Sequence, residues 1–323
     1  RRSTGSATPI VVLGSRESAG LPSKALLGGA DAFLDPSEPD AGEAIAAAIA
    51  QEAVARAPEG AAIGPPGTVV ALVGAKGGVG TTMTAWNLAS ALAAKGSVIL
   101  AELRTSLGTL ATYFRPGQTV RRLSHLVNEG KRSSITRELD LCLWSCPKSS
   151  GIRVLFGPQS AEECKEVSET VAAKVIEGLA QRADFVVLDL PAATTPLLRG
   201  AIQGAGYLAL LVEREPVCID AAKRMLAAIE SWDVAVGACG VTVVNRAPLV
   251  APLSMEEVQT ELGLPIITAI PPAPDLCVQS QRMRVPFVDH DPDSLAAGSI
   301  VALAEAVHQH HAATHRTAKP ALY

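Results

Sequence analysis

The chain has 323 residues, of which 48% are hydrophobic, 19% charged and 3% aromatic. This composition excludes a disordered chain and predicts a core of Ala, Val, Leu and Ile, which is typical of buried parallel strands covered by helices. The 28 basic and 32 acidic residues give a net charge of -4, so the sequence carries no strong nucleic-acid signal. No apolar run approaches the roughly 18 residues of a transmembrane segment, and we expect a cytoplasmic protein.

The first 67 residues differ from the rest of the chain. Two apolar runs, at 9–14 and 32–34, are each followed by a helical pattern, and the second of these patterns is the alanine-rich stretch 41–57. The alternation predicts a partial α/β domain over residues 1–57. A segment rich in proline and glycine, residues 58–67, predicts a linker.

From residue 68 onward, short β-rich runs alternate with amphipathic segments. The runs lie at 68–73, 97–102, 152–156, 185–189, 207–212, 241–245 and 265–270, and the clearest helical patterns at 82–94, 161–181, 217–232 and 254–261. This alternation predicts an α/β domain over residues 68–312 with a doubly wound, mostly parallel sheet. A last helix is expected at about 292–308, with the histidines of 308–315 on its fraying end and a tail at 313–323.

The first strand of this domain runs into a glycine-rich loop and then into a helix. The loop reads Gly74-Ala-Lys-Gly-Gly-Val-Gly-Thr-Thr82. Its glycines allow backbone N–H groups to turn around an anion, and the following helix directs its positive end at the same point. Thr82 stands where a hydroxyl reaches a phosphate-bound Mg²⁺. The loop therefore predicts binding of a nucleoside triphosphate.

The order of residues in this loop resembles the deviant Walker A box of the MinD/ParA (SIMIBI) family of P-loop NTPases. The resemblance implies that ATP and Mg²⁺ are the cofactors, and that the early lysine, Lys76, reaches the phosphates of a partner subunit across a homodimer with ATP sandwiched between the subunits. It also implies nucleotide contacts by the rest of the loop, which comprises Gly77, Gly78, Val79, Gly80, Thr81 and Thr82.

Three further segments fit the same resemblance. The strand at 185–189 resembles a Walker B strand, in which Asp189 would hold Mg²⁺ through water while Thr82 binds it directly. Asn245 and Arg246 follow a later strand and resemble a segment that meets the adenine ring. Pro271 and Pro272 resemble a loop that closes over the base.

The segments 150–159 and 261–272 narrow the resemblance to the TadZ/CpaE branch, the polar-localisation ATPases of Tad pilus assembly. That branch implies an N-terminal receiver-like domain, of which residues 1–57 would be the last part. It also implies protein partners in a pilus or secretion machine, and recruitment to a cell pole or to the inner membrane face through them.

The sequence departs from the family pattern at residues that matter for hydrolysis. Thr81 replaces a second phosphate-binding lysine, and Glu102-Leu-Arg104 replaces an Asp-x-Asp pair, so that an arginine stands where a carboxylate would orient water. We therefore expect ATP binding with weak or absent hydrolysis, and Glu102 is the candidate to compensate beside Lys76 and Asp189. Asp35-Pro36 replaces the Lys-Pro of receiver domains, which makes phosphotransfer to this part unexpected.

Two other readings remain open at this stage. One is an active ParA- or MinD-type ATPase in DNA partitioning or cell-division positioning. A more remote one is an NAD-dependent oxidoreductase, because Gly74, Gly77 and Gly80 precede Glu102 by an interval suited to an acid that binds ribose.

Overall fold

The computed structural model describes residues 11–15, 32–37, 65–116, 120–129, 135–146, 151–234, 237–245 and 251–317. The strands, in chain order, are β1 (Val11–Leu13), β2 (Ala32–Leu34), β3 (Thr68–Gly74), β4 (Val98–Glu102), β5 (Trp144–Ser145), β6 (Ile152–Leu155), β7 (Phe185–Leu190), β8 (Tyr207–Val212), β9 (Ala238–Val244) and β10 (Ile266–Ile270). The helices are α1 (Thr81–Ala93), α2 (Leu110–Phe114), α3 (Leu123–Glu129), α4 (Ile135–Cys142), α5 (Glu169–Ala180), α6 (Pro196–Gln203), α7 (Pro216–Ser231), α8 (Met255–Leu262), α9 (Pro274–Met283), α10 (Phe287–His290) and α11 (Leu295–Thr317).

Within the described residues, one sheet of eight strands has the order β10-β9-β8-β3-β7-β4-β6-β5. Every neighbouring pair is parallel except β5 and β6 at the edge. The predicted α/β fold with a mostly parallel sheet is confirmed. The β3 strand lies between β7 and β8, so the chain changes direction across the sheet beside it, and a crevice is expected at the carboxyl end of β3.

The sheet is covered on both faces, which explains its continuous apolar strands. Alternate residues of β3 point to opposite sides: Val69 and Ala71 join the core under α5 and α6, whereas Val70 and Leu72 join the core under α1 and α11. On the second side, aromatic rings pack against one another among the aliphatic side chains. The indole of Trp86 lies 5.1 Å from the ring of Tyr113, measured between centroids.

The strands β1 and β2 form a separate parallel pair. The predicted receiver-like domain at 1–57 and the linker at 58–67 lie largely outside the described residues, as does the helical pattern at 41–57. Asp35 is described: its carboxylate accepts hydrogen bonds from the Ser37 backbone N–H at 3.0 Å and from the Ser37 hydroxyl at 2.5 Å.

Two predicted helices have different bounds in the structure. The pattern at 161–181 is a short 3₁₀ turn, Ala161–Glu163, followed by an extended segment, and α5 begins only at Glu169 because Ser168 caps it by accepting from the Val171 N–H. The last helix continues to Thr317, so the boundary at 312 falls inside it. The expectation that the histidines lie on a fraying end is wrong, because the rings of His311 and Phe185 are 4.7 Å apart.

None of the helices in the described part of the chain combines the length and the apolar character that are needed to cross a bilayer.

Candidate functional site

The glycine-rich loop connects the central strand β3 to α1 in the conformation expected of an anion cradle. Gly78 and Gly80 have φ angles of 80° and 102°, which only glycine adopts readily. Gly74 has no room for a side chain, since a Cβ there would lie 2.5 Å from Thr81 Oγ1. Gly80 is the N-cap of α1, and because it has no side chain it cannot bond to the N–H groups of the first turn. Those N–H groups also lack a partner within the helix. The turn is therefore shaped for phosphate.

This loop borders a cavity of about 650 Å³. The sequence-predicted site residues that line it are Lys76, Gly77, Gly78, Val79, Gly80, Thr81, Thr82, Asp189, Asn245, Pro271 and Pro272. Segments more than 190 residues apart in the sequence thus meet at one place, as the strand order requires. Arg246 lies outside the described residues. Among the described residues that line the cavity, the charged ones are Lys76, Arg104 and Asp189.

Asp189 is at the bottom of this cavity and is fully buried. Its Oδ2 accepts hydrogen bonds from Thr82 Oγ1 at 2.8 Å and from Arg104 at 2.7 Å. Burial raises the pKa of Asp189 to about 6, and the positive charge of Arg104 opposes that rise. The arginine, which stands where the resemblance implies a carboxylate, is an ion-pair partner of the Walker B-like aspartate.

Part of this site fits a magnesium ion. Asp189 Oδ1 is buried and has no hydrogen-bond partner among the described residues, so one carboxylate oxygen is available for a metal-bound water. Thr82, at the start of α1, adds a hydroxyl oxygen that lies 2.8 Å from the other oxygen of this carboxylate, Oδ2. Oxygen ligands of this kind suit Mg²⁺, which keeps several of its waters. The second carboxylate oxygen, however, is already bonded to the guanidinium.

Glu102 does not line the cavity. Its carboxylate is fully buried and accepts hydrogen bonds from the backbone N–H groups of Thr109 at 2.6 Å, Leu110 at 3.3 Å and Gly157 at 3.1 Å. The first two of these N–H groups belong to the start of α2. Glu102 therefore anchors the loop after β4, and the structure gives it a positioning role where the sequence had suggested a catalytic one.

Lys76 forms ion pairs with two acids other than Asp189. Its Nζ is 2.5 Å from Glu215 Oε1 and 3.2 Å from Glu213 Oε2, two acids that follow β8. The hydrogen bond that Lys76 donates to Glu215 is the largest cause that raises the pKa of Lys76. Sequence reasoning missed these acids, although charged residues directly after a central parallel strand are a usable signal.

The far end of the cavity is built from the ends of β9 and β10. The Asn245 backbone N–H donates to the Ile270 carbonyl at 2.9 Å, which brings Asn245 next to Pro271 and Pro272. Arg214 Nε donates to Asn245 Oδ1 at 2.8 Å and fixes the orientation of the amide. Other lining groups that the sequence did not single out are Tyr113, Cys277, Gln281 and Phe287. The mixture of apolar walls and one oriented amide suits a planar base.

The structure closely matches solved nucleotide-binding proteins. A ParA family ATPase from Chlorobium tepidum superimposes with a TM-score of 0.67 at 18% identity, covering 75% of this chain and 99% of that one. The fold is that of the ParA and MinD ATPases.

Two MinD structures agree with this assignment. MinD from Pyrococcus horikoshii, solved in complex with Mg-ADP, gives a TM-score of 0.64 at 19% identity over 74% of this chain and 95% of that one. MinD in the MinC:MinD complex from Aquifex aeolicus gives 0.62 at 25% identity over 75% and 96%. No family model matches the sequence, and no curated protein matches it.

Proposed function

We propose that the chain binds ATP in the cavity at the carboxyl end of β3 and acts as an ATP-dependent assembly or localisation factor. The observation that carries this proposal is the convergence of the glycine-rich turn with the Thr82–Asp189 pair at the bottom of one cavity. A MinD of the same fold was solved with Mg-ADP, which supports this choice of ligand. The loop N–H groups would hold the phosphates, and Asn245 and Pro271–Pro272 would flank the base.

Mg²⁺ would be held by Thr82 directly and by Asp189 through water, and it would neutralise phosphate charge. Hydrolysis is proposed to be weak or absent. Phosphoryl transfer depends on charge neutralisation and on an oriented water, and this chain has Thr81 and Arg104 where the resemblance implies a lysine and a carboxylate. Glu102 offers no replacement, because its oxygens already accept backbone N–H groups.

The same placement of Glu102 argues against the oxidoreductase alternative. An acid that recognises ribose must reach the cofactor with its carboxylate, but the side chain of Glu102 is 0% exposed and lies outside the cavity lining.

The proposed assembly is a homodimer that sandwiches two nucleotides. Lys76 supports it, because Lys76 is held away from Asp189 by Glu213 and Glu215 and is partly exposed, at 30% of its side chain. A lysine in this place is able to reach out of its own subunit. The proposed partners are proteins of a Tad-type pilus or secretion machine, on the TadZ/CpaE-like segments of the sequence. MinD of Aquifex aeolicus, solved with MinC, is an example of this fold binding a protein partner.

The alternative is DNA partitioning or cell-division positioning, and the ParA and MinD structures that share this fold support it. It requires a nucleoid- or membrane-binding surface, whereas the net charge here is -4. A salt-sensitive mobility shift on DNA, or co-sedimentation with anionic vesicles, would favour this alternative over a protein-binding hub.

The experiment that tests the proposed function is light scattering of the full chain with and without ATP and Mg²⁺. We expect ATP to convert monomer to dimer. In Lys76→Ala the dimer should be lost, since a charge-assisted phosphate contact worth about 1.5–3 kcal/mol disappears. Lys223→Ala, which removes an exposed ion pair with Glu261, is the matched control and should dimerise normally. An ATP-dependent dimer that persists in Lys76→Ala would refute the sandwiched arrangement.

A further inference from the structure

We propose that Arg104 is a resident cation of the nucleotide site, which pairs with Asp189, donates N–H groups to the bound phosphates and makes the binding of a nucleoside triphosphate largely independent of Mg²⁺. This inference rests on the proposed function, and it concerns the arginine that lines the cavity next to Asp189.

The backbone places Arg104 next to Asp189. The strands β4 and β7 are paired so that Glu102 is opposite Asp189, and the Leu103 N–H then donates to the Asp189 carbonyl at 3.1 Å. The next residue, Arg104, therefore leaves the sheet at the same level as the Asp189 carboxylate. Its side chain is only 14% exposed and lines the cavity.

Two carboxylates hold the guanidinium in this place. One terminal nitrogen is 2.7 Å from Asp189 Oδ2, and Nε is 3.4 Å from Glu102 Oε1. Glu102 is unable to move away, because it is bonded to three backbone N–H groups and packed closely against two glycines. A Cβ added at Gly108 would lie 2.3 Å from Glu102 Oε2, and one at Gly157 would lie 3.0 Å from the same atom. The arginine is thus fixed through a rigid neighbour.

The charge balance at the bottom of the cavity follows from these contacts. A divalent cation binds strongly where carboxylate charge is left uncompensated. Here the only charged groups that line the cavity among the described residues are one carboxylate and two cations, and one of these, Lys76, is paired with Glu213 and Glu215. Arg104 is paired with Asp189 and is also within 3.4 Å of the buried Glu102, which does not line the cavity. A guanidinium within hydrogen-bond distance of Asp189 both repels a second cation and offers N–H donors that match phosphate oxygens.

Asp189 Oδ1 has no hydrogen-bond partner among the described residues, so the site does not exclude Mg²⁺. Mg²⁺ is therefore dispensable for binding, because Arg104 supplies positive charge in its place. A nucleotide would then be retained under conditions that strip the metal.

The test is the binding of fluorescently labelled ATP to the full chain, measured at equal ionic strength in excess Mg²⁺ and in excess EDTA. For the wild type, we expect the two Kd values to differ by less than about threefold, under half the free energy of a tenfold change. For Arg104→Gln, EDTA should weaken binding by about tenfold to a hundredfold, the value of one charge-assisted hydrogen bond. Arg104→Lys, which keeps the charge, should lie between them.

Arg199→Gln is the matched control. It removes an arginine that is paired with Glu169 at 3.4 Å and does not line the cavity, and it should behave as the wild type does. A wild type that loses tenfold or more in EDTA would overturn the inference and leave the proposed function standing. Equal insensitivity of the wild type and Arg104→Gln would also overturn it, because the cation would then be another group.

No binding of labelled ATP in either condition would overturn the proposed function, and the inference with it. Thermal melting of each variant shows whether it is folded. If Arg104→Gln does not fold, the wild-type ratio and Arg104→Lys still decide, because an EDTA-sensitive wild type alone refutes the inference.

Discussion

Thr81 and Arg104 alter the charge around the phosphate position in opposite directions. Thr81 stands where the resemblance implies a cation, and its hydroxyl lies against Gly74 in the turn. Arg104 stands where the resemblance implies a carboxylate, and it is bonded to Asp189. On the proposed function, the cavity therefore has groups that would hold a nucleotide, while the carboxylate expected to orient an attacking water is replaced by Arg104. Binding and turnover are separable properties of these two positions.

We predict that phosphate release by the wild type in ATP and Mg²⁺ is slow, and that Thr81→Lys combined with Arg104→Asp accelerates it by more than about 10²-fold. Loss of one electrostatic group at a transition state costs about 10²–10³ in rate, so restoring two should more than recover that factor. Phosphate release is measured in single turnover.

The control for this prediction is Ser231→Lys combined with Arg199→Asp, the same changes away from the cavity. Glu102→Gln should reduce stability and should not abolish turnover in the folded fraction. Brisk hydrolysis by the wild type, abolished in a folded Glu102→Gln variant, would contradict this view.

The sequence was informative for residues that lie within one loop. The spacing from Gly74 to Thr82 predicted a phosphate turn, because the conformation of such a turn depends mainly on its own glycines. The partners of Lys76 and Arg104 were not predictable in the same way. They follow from side-chain contacts across 85 to 139 positions of the sequence, which local patterns do not encode.

At the scale of helices and strands, the apolar strands were predicted to within a few residues, because a strand buried on both faces is a continuous apolar run. The segment from α2 to β5 was not predicted. Its helices are short and carry no sustained apolar period, so they depend on contacts such as that of Glu102 with the start of α2. Capping by Ser168 was also overlooked, and it moved the start of α5.

The long last helix, α11, is packed against the sheet and α1 from its middle to His311. Leu303, Ala304 and Val307 are buried in the core beside α1. Further along, His311 Nδ1 and Thr68 Oγ1 form a hydrogen bond of 2.8 Å at the first residue of β3. The histidines therefore belong to the packed part of the molecule.

This packing predicts a pH dependence of stability. Burial, followed by the positive charge of His315, lowers the pKa of His311 from its ordinary value of 6.5, although Asp184 opposes the shift. The unfolded chain then binds a proton more readily than the folded chain, so the free energy of unfolding should fall as the pH drops from about 7 through 6.5 towards the lowered value. Below that value this contribution is fully lost.

Chemical denaturation between about pH 7 and pH 5 measures this effect, a range that covers the ordinary pKa of histidine. In His311→Phe, which keeps the contact with Phe185 and cannot titrate, the slope of stability against pH should be smaller. His290→Gln, at an exposed site on α10, is the control and should keep the wild-type slope. Identical slopes for the wild type and His311→Phe would show that His311 does not contribute to the pH dependence of stability.

At the scale of the whole molecule, strand order could not be predicted from the sequence. Alternating runs indicate a parallel sheet, but the position of β3 between β7 and β8 depends on how helices cross over. The order also separates the chain into two parts, because β1 and β2 pair with each other and not with the eight-stranded sheet in the part of the chain that the structure describes.

We predict that a chain beginning at Pro65 folds and binds ATP as the full chain does. Among the described residues, the cores on the two faces of the sheet are formed from Val69 onward, so we expect few contacts to be lost on truncation. The thermal midpoint should change by less than about 2–4 °C, the shift produced by 1 kcal/mol in a domain of this size. An insoluble product, or an ATP Kd raised by about tenfold, would show that the first 64 residues contribute to the folded domain or its site.

The central position of β3 has a consequence for how binding is felt elsewhere. Its residues Val70 to Val73 are 0% exposed and hydrogen-bonded on both sides, so their amides should be among the last to exchange with deuterium. The phosphate turn begins where this strand ends. A ligand bound there contacts the end of a strand whose backbone rarely opens. On ligand binding, deuterium uptake should change at 76–82 and 103–109 and should stay the same in β3. The conformational response to nucleotide is therefore expected in the surrounding loops.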